Sequence, residues 1–368
     1  MNRDFILPEE EYGPFLPYVK DKTITDIDWN GEDLWLKNVR MKKWKVENPK
    51  ITKEFIDSFA TRVGILIGDD LNVQNPKLEG ETENLRITVT HSSVAVTGTS
   101  VLIRKTPPKV QIEAYKAIQD RYIEEKVLHL LANFAKAGIN IVFCGQPAVG
   151  KTECGKFFST FIPADDKVIT VEDRLEFRYR EINPGKNCVS LRITDQFSFE
   201  EALKIVLAMN PDRVMLTEVR SKEVKYLLQC WSSGITGFTT IHTDDVRNIS
   251  DRLLNMMPTR QDAERLVNNV YESLDCGVLV DTRLNKETGE NERYINQVGF
   301  FYREKGKNNV FLAVKDGELI EGEETFLPDS ILVRLKKKGI TDPFYCEEAE
   351  QRIEEEKKEA RKVHEEIF

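Results

Sequence analysis

Apolar positions in the first hundred residues predict a small domain of mixed strand and helix. Alternating apolar residues on both sides of Asn30-Gly31 indicate a β-hairpin within 24–36, because Asn-Gly favours the tight turn of a hairpin. Apolar residues at helical spacing predict a helix within 51–71. Further strands are predicted at 85–90, 94–96 and 100–104.

The pattern changes after Lys105-Thr-Pro-Pro-Lys109. Proline removes a backbone donor and fixes φ, so this run interrupts regular structure. Helices are then predicted at 121–137 and 199–209, and strands at 139–144, 168–171, 214–217 and 238–242. Short apolar strands that alternate with helices predict an α/β domain with a largely parallel sheet covered on both faces. From about residue 278 the chain is strand-rich.

These patterns divide the chain into four segments. An amino-terminal α+β domain at 1–104 and a linker at 105–112 precede an α/β domain at 113–346. The remaining segment, 347–368, is rich in charge and has sparse apolar positions, which predicts a solvated helix or a frayed tail.

The most informative motif is a glycine-rich loop between the strand at 139–144 and a following helix. It fits the pattern G-x-x-x-x-G-K-[ST] of a phosphate-binding loop, whose glycines let backbone amides turn towards an anion. The loop and the next residue are Gly145, Gln146, Pro147, Ala148, Val149, Gly150, Lys151, Thr152 and Glu153. Lys151 is expected to reach the β- and γ-phosphates, and the Thr152 hydroxyl to bind Mg²⁺. The expected cofactors are therefore ATP and Mg²⁺.

Hydrolysis needs acidic groups beside the phosphates, and two candidates follow predicted strands. Glu172 ends the strand at 168–171 and Glu218 follows the strand at 214–217. Ligands bind outside the carboxyl ends of parallel strands, so both are placed for a catalytic role. His242 ends a third strand and is a further candidate.

Composition excludes several classes of function. The net charge of −9 with no evident basic stripe disfavours nucleic acid as the main partner. The acidic start is unlike a signal peptide, and no apolar run reaches about 18 residues, so no transmembrane segment is expected. The six cysteines form no CxxC pair and are expected to be reduced. We expect a cytoplasmic protein that can lie at the membrane by binding a membrane protein.

Four segments in this order resemble the type II/type IV secretion ATPase family over residues 20–340. Gly145–Thr152 is similar to the family's Walker A motif, 169–177 to its Asp box, 210–220 to its Walker B region and 237–243 to its His box. Asp251-Arg-Leu253 also fits the family pattern. The two-domain layout resembles the tight-adherence pilus and conjugation branch, without the tetracysteine zinc insert of many type II secretion members.

The resemblance implies a RecA-like P-loop NTPase domain and a role for each candidate residue. Glu172 is expected to polarise the attacking water, Glu218 to hold Mg²⁺ through water, and His242 to sense the γ-phosphate. Arginines of the amino-terminal domain reach the nucleotide in this family, and Arg86 and Arg104 occupy similar strand positions. The family also implies a homohexamer, with nucleotide between the two domains, that drives a membrane platform protein.

The chain departs from the family pattern in ways that bear on turnover more than on nucleotide binding. Gln146-Pro147-Ala148 replaces the usual Gly/Pro-Thr-Gly, and Pro147 removes one amide donor. Arg174 stands where proline is usual, Thr217 where glycine is usual, and Asn210 where a basic residue is usual.

Three functions from different classes fit these patterns. The first is a mechanochemical ATPase for secretion or pilus assembly, in which ATP hydrolysis moves the two domains. The second is a nucleotide-binding regulator or scaffold with little hydrolysis, which the loop departures favour. The third is a small-molecule kinase, which needs an arginine-rich lid that the second domain does not show.

Overall fold

The computed structural model of the chain describes residues 4–194, 196–219, 221, 223–257, 263–320 and 326–367. The chain forms two compact units. The first is Met1–Pro108 together with Leu284–Asn291, and the second is Lys109–Arg283 together with Glu292–Phe368. None of the described helices combines the length and the hydropathy of a membrane span.

The first unit is an antiparallel sheet packed against a helix. A short 3₁₀ helix lies at Glu9–Phe15 and the two α-helices are α1 (Leu16–Lys20) and α2 (Lys53–Ile67). The strands are β1 (Ile24–Trp29), β2 (Leu34–Asn38), β3 (Lys43–Lys45), β4 (Lys77–Glu81), β5 (Leu85–Thr90) and β6 (Ser100–Lys105). The described sheet has the order β3-β2-β1-β6-β5-β4.

Alternation of side chains explains which face of this sheet is buried. Leu85, Ile87 and Val89 of β5 are buried and pair in register with β6, whereas Arg86 lies between them on the opposite face. The hairpin predicted around Asn30-Gly31 is confirmed, because β1 and β2 pair antiparallel on either side of it.

The strand predicted at 94–96 is wrong. Residues 91–99 form turns between β5 and β6, and the amides of Val94 and Ala95 both donate to the carbonyl of His91. Val96 is 99% exposed, because the turn lifts it away from the sheet. Two valines spaced for a strand have no neighbouring strand here to pair with.

The second unit is an α/β domain. Its described helices are α3 (Ala114–Gln119), α4 (Glu125–Ala137), α5 (Lys151–Ser159), α6 (Tyr179–Ile182), α7 (Phe199–Ala208), α8 (Glu223–Ser232), α9 (Ile249–Asn255), α10 (Ala263–Ser273), α11 (Asp329–Lys337) and α12 (Glu347–Ile367), with a 3₁₀ turn at Val246–Asn248. Its described strands are β7 (Ile141–Cys144), β8 (Val168–Glu172), β9 (Cys188–Arg192), β10 (Arg213–Leu216), β11 (Thr236–Ile241), β12 (Cys276–Leu284), β13 (Asn291–Glu304), β14 (Lys307–Lys315) and β15 (Glu318–Leu319).

The described sheet of this unit is mostly parallel, as predicted. Its order is β15-β14-β13-β12-β7-β11-β10-β8-β9, and the pairs from β12 to β9 are all parallel. The pairs β13–β14 and β14–β15 are antiparallel and form an extension at one edge. Parallel strands place their carboxyl ends at one edge of the sheet, so the segments that follow β7, β8, β10 and β11 meet there.

Both faces of this sheet are covered. Along β7, Ile141 and Phe143 pack into one buried cluster, while Val142 and Cys144 pack into another. The first cluster includes α4, α5 and α11, and the second includes α7, α8 and α9. A strand that is buried on both faces reads as a continuous apolar run, which is why this strand could be recognised in the sequence.

Residues 347–367 form the helix α12, which was one of the two forms expected for 347–368, but the first half of this helix is not solvated. Its first half packs on α3 and α4 and buries Ala349 and Ile353 beside Cys346. The Glu356 carboxylate accepts a hydrogen bond from the amide of Tyr115, at the start of α3. Residues 358–362 are exposed. Two apolar residues four apart are enough to attach one face of a helix whose other faces are charged.

Candidate nucleotide-binding site

The glycine-rich loop joins β7 to α5 in the second unit and has the backbone of an anion cradle. Gly145, Ala148 and Gly150 have positive φ angles of 146°, 66° and 103°. At Gly145 a Cβ would lie 2.2 Å from the carbonyl oxygen of Val280, so β12 leaves no room for a side chain there. The loop ends at α5, whose N-terminal amides also favour an anion.

Two of the departures from the family pattern lie in this loop, at residues 147 and 148. Ala148 stands where glycine is usual and adopts a left-handed conformation, which costs an L-residue roughly 1–2 kcal/mol. Pro147 precedes it and has no amide hydrogen to donate. Both residues are exposed, whereas the next residue, Val149, is buried. The loop therefore keeps the shape of a phosphate cradle despite a residue that resists it.

The Lys151 ammonium lies inside the curve of the loop. It donates to the carbonyl oxygens of Gly145 at 3.1 Å and Gln146 at 3.0 Å, and it is 3.1 Å from Nδ1 of His242. Burial lowers the pKa of this ammonium, and the negative charges of Glu218 and Glu176 oppose that shift. Within the described parts of the chain, carbonyl oxygens and a ring nitrogen hold this buried cation, and such a cation is suited to a multiply charged anion.

His242 connects Lys151 to Glu218. Its Nε2 is 2.8 Å from a carboxylate oxygen of Glu218. An ammonium can only donate, so Nδ1 accepts a hydrogen bond from Lys151. The ring hydrogen is then on Nε2, which donates a hydrogen bond to Glu218. Nδ1 also lies 3.3 Å from the carbonyl of Gly145, but without a hydrogen it cannot donate to that oxygen. Three of the residues predicted from the sequence are therefore brought together as one chain of hydrogen bonds.

Glu172 does not have the setting of a water-polarising base. Both of its oxygens already accept backbone hydrogen bonds, from the amides of Glu176 at 3.0 Å, Phe177 at 2.8 Å and Arg178 at 3.2 Å. Its side chain is buried, and this burial raises its pKa to about 7 against the three hydrogen bonds, which lower it. In this geometry Glu172 fixes the loop that follows β8.

Glu176 is a second acid of this segment, which the sequence patterns did not single out. Its charge acts on Lys151, as does that of Glu218. The amide of Glu176 is bonded to Glu172, so the buried acid holds the backbone that carries this second one. Glu172 is the predicted base because it directly follows a strand. The sequence feature that could have pointed to Glu176 is its position four residues after Glu172, in the turn that follows β8.

The remaining site residues of this unit occupy supporting positions. Thr152 is half-buried in the first turn of α5. Glu153 accepts from the buried ammonium of Lys156 at 2.8 Å. Arg252 of α9 donates to the carbonyl of His242 at 3.1 Å, which gives the motif at 251–253 a contact with the His box. Arg220, which ends the Walker B region, lies outside the described residues.

Arg86 and Arg104 belong to the first unit. They are cross-strand partners on β5 and β6. The Nε of Arg104 donates to Asp26 at 2.7 Å, and Nε of Arg86 is 3.3 Å from an oxygen of Glu79. Each arginine is thus held by an acid on a strand of the same sheet.

A separate cluster of possible metal ligands in the described residues fails a tautomer test. Glu125, His129 and Glu350 bring one ligand atom each within 4.8 Å of one another. However, the amide of Cys346 donates to Nδ1 of His129, so the ring hydrogen must lie on Nε2, which faces Glu350 at 3.4 Å. A nitrogen that carries hydrogen has no lone pair for a metal, and this cluster is a structural contact between α4 and α12.

Comparisons with known proteins agree with this fold. A family model described as "Type II/IV secretion system protein" matches residues 71–309, which is 239 of the 368 residues. An uncharacterised protein of Bacillus anthracis is 26% identical over 244 residues, which cover 65% of this chain and 54% of that protein. The conjugal transfer protein TrbB of Rhizobium radiobacter is 27% identical over 172 residues, which cover 44% of this chain and 51% of TrbB. The chain thus spans about half the length of these curated relatives.

A solved structure shows the same fold at low sequence identity. The ATPase DotB of Yersinia pseudotuberculosis superposes with a TM-score of 0.60 at 12% identity, over 82% of this chain and 81% of DotB. The chain therefore belongs to the type II/IV secretion system protein family, and it has a RecA-like P-loop NTPase domain preceded by a smaller α+β domain.

Proposed function

We propose that this chain binds ATP with Mg²⁺ and hydrolyses it to drive a type II/IV secretion or pilus assembly machine. The observation that carries the proposal is the hydrogen-bonded chain from Lys151 through His242 to Glu218 beside the glycine-rich loop. It joins the cation expected at the γ-phosphate to the carboxylate expected at the metal. Family membership supports the same function.

The residues present fit a magnesium–triphosphate group. Positive φ angles at three loop residues give the curve in which amides can face an anion. Phosphate oxygens are stronger acceptors than the carbonyls of Gly145 and Gln146, so Lys151 can exchange its present partners for them. Thr152 and Glu218 offer oxygen ligands, directly or through water, and Mg²⁺ supplies charge neutralisation when bound.

We assign different tasks to the four polar groups around the loop. Lys151 binds the terminal phosphates, and Glu218 holds the metal through water. His242 senses the γ-phosphate, because its Nδ1 loses its donor when Lys151 turns to phosphate. Glu176 orients the attacking water, and Glu172 positions Glu176 through its backbone amide.

The proposal extends to assembly and location. We propose a homohexamer at the cytoplasmic face of a membrane, in which hydrolysis moves the two domains of each copy and drives a membrane platform protein. Arg86 and Arg104 are the candidates for arginines that stabilise the charge of the reacting phosphate. These parts rest on the family relationship.

The test is Mg²⁺-dependent phosphate release from ATP by the purified chain. Glu218→Gln keeps an oxygen that can accept from His242 but removes the charge. We expect it to lower turnover by about 100-fold, the lower end of what a catalytic carboxylate contributes. Glu264→Gln removes an exposed acid on α10 and should leave turnover unchanged. Equal rates for the wild type and Glu218→Gln would contradict the proposal.

The departures at Pro147 and Ala148 favour one second candidate, a nucleotide-binding regulator with little hydrolysis. It requires tight ATP binding together with phosphate release no faster than that of Lys151→Ala, even after a membrane partner is added. The same assay therefore separates the two functions.

A further inference from the structure

An arginine from the antiparallel edge of the sheet lies against the phosphate loop. Arg293 is the third residue of β13, and its Nη2 donates to the carbonyl oxygen of Ala148 at 3.3 Å. A Cβ built at Gly150 would lie 3.5 Å from Cδ of Arg293. The guanidinium and the side-chain stem therefore cover the same three residues of the loop, 148–150.

The bond to the Ala148 carbonyl bears on the direction of the next amide. A peptide group is planar and trans, so the carbonyl of Ala148 and the amide of Val149 point in opposite directions. Where an amide of an anion cradle points inward to the anion, the carbonyl of the same peptide therefore points outward. A donor that holds the Ala148 carbonyl outward therefore holds the Val149 amide inward, towards the place of the phosphate.

This peptide needs such support more than others in the loop. Ala148 has a left-handed backbone with φ of 66°, which an alanine resists and a glycine does not. Relief of this strain requires rotation about the N–Cα bond of Ala148, and that rotation also moves the carbonyl of Ala148 and the amide of Val149 relative to the rest of the loop. The preceding residue is Pro147, so the loop has one backbone amide fewer that could bind a phosphate.

We propose that Arg293 is a positioning residue that sets the 148–149 peptide for phosphate binding, a role that rests on the proposed nucleotide binding. It binds the loop from outside and does not touch the phosphates. The surroundings of Arg293 are consistent with a fixed position. The charges of Arg293 and of Glu153 in α5 both act on the pKa of the buried Tyr122 hydroxyl. Arg293 thus ties β13 to the loop beside the start of α5.

The test is a double-mutant cycle on nucleotide affinity, measured with a fluorescent ADP derivative. Arg293→Met should weaken binding by about tenfold, the effect of losing one charge-assisted hydrogen bond. Ala148→Gly removes the backbone strain, so the same Arg293→Met change should cost less in that background. Arg293→Lys keeps the charge and should fall between methionine and the wild type. At saturating ATP, kcat should stay within about twofold while KM rises, because Arg293 acts on binding.

Arg283→Met is the matched control. Arg283 lies on β12, stacks 4.9 Å from the ring centroid of Tyr294 and has no described contact with the loop. Its loss should leave affinity unchanged. Should Arg293→Met fail to fold, Arg293→Lys in the two backgrounds replaces it in the cycle.

The outcomes separate this inference from the proposed function. If the wild type binds no nucleotide, the proposed function fails and this inference fails with it. If the wild type binds and Arg293→Met binds equally well, or if its cost is the same with alanine and glycine at position 148, only the positioning role is overturned.

Discussion

Glu172 shows how a buried acid can serve a site without touching its ligand. Burial raises the pKa of Glu172 and hydrogen bonds from three backbone amides lower it, so that the resulting pKa is about 7. The charge of Glu176 adds to the rise of this pKa. The buried carboxyl holds residues 176–178, and this segment carries the acid that acts on Lys151.

The raised pKa makes stability depend on pH. An unfolded glutamate titrates near 4.3, so between that value and about 7 the folded chain binds the additional proton. The contribution of Glu172 to stability is therefore largest at low pH and is lost as the pH rises through 7. Between pH 5 and pH 8, the free energy of unfolding should fall by roughly 2 kcal/mol relative to Glu172→Gln. Urea unfolding of both proteins measures this, and a difference that does not change with pH contradicts it.

The two acids of this loop should respond differently to loss of charge. Glu176→Gln should lower ATP turnover by about 100-fold and leave the free energy of unfolding within about 0.5 kcal/mol. Glu172→Gln should lower stability at pH 5, because an amide nitrogen would face one of the backbone donors. Phosphate release and urea unfolding on both variants give the comparison. Loss of turnover in Glu172→Gln at full stability and normal turnover in Glu176→Gln would restore Glu172 as the base.

At the scale of elements, the first half of α12 is part of the core of the second unit. Ile353→Ala should lower the free energy of unfolding by about 2 kcal/mol or more, since it leaves a cavity between α12 and α3. Ala360→Ser changes an exposed position two turns later and should cost less than about 0.5 kcal/mol. Thermal or urea unfolding measures the stability of both variants. Equal stability would mean that the first half of α12 is solvated and does not belong to the core.

Elements could be predicted from the sequence where burial is complete or alternation is regular. The strands β7, β8, β10 and β11 are short and almost entirely buried, and each has an apolar or β-branched stretch that could be recognised; their order places the loop, Glu218 and His242 at one edge. The pattern failed at 94–96 because alternation alone does not show whether a partner strand is present. At α12 it gave the helix but not the burial of its first half, because one apolar pair among many charges is enough to attach a helix to α3 and α4.

The site could be predicted only as far as strand ends determine it. The glycine-rich motif and two strand ends were enough to predict that Lys151, Glu218 and His242 lie close together, as they do in the structure. A strand end does not fix which way a side chain points after the strand, so the roles of Glu172 and Glu176 remain proposals. Arg293 was not found because it lies about 140 residues after the loop in the chain and reaches it only through the sheet order β13-β12-β7.

At the scale of the whole molecule, the proposed homohexamer can be tested by its mass. We expect the mass of a hexamer in light scattering when the purified chain is incubated with Mg²⁺ and a slowly hydrolysed ATP analogue. Lys151→Ala should not show the ligand-dependent part of this shift, because it lacks the cation that binds the phosphates. A monomer at all concentrations and with all ligands would contradict the ring and favour a small-molecule kinase.

The most direct measurement is a structure of the chain with Mg²⁺ and a slowly hydrolysed ATP analogue. The triphosphate should lie on the amides of the loop from Gly145 to Thr152, with Lys151 on its terminal phosphates and the metal between Thr152 and Glu218. A loop without ligand, with Lys151 still bonded to the carbonyls of Gly145 and Gln146 and Glu218 away from any metal, would contradict the account.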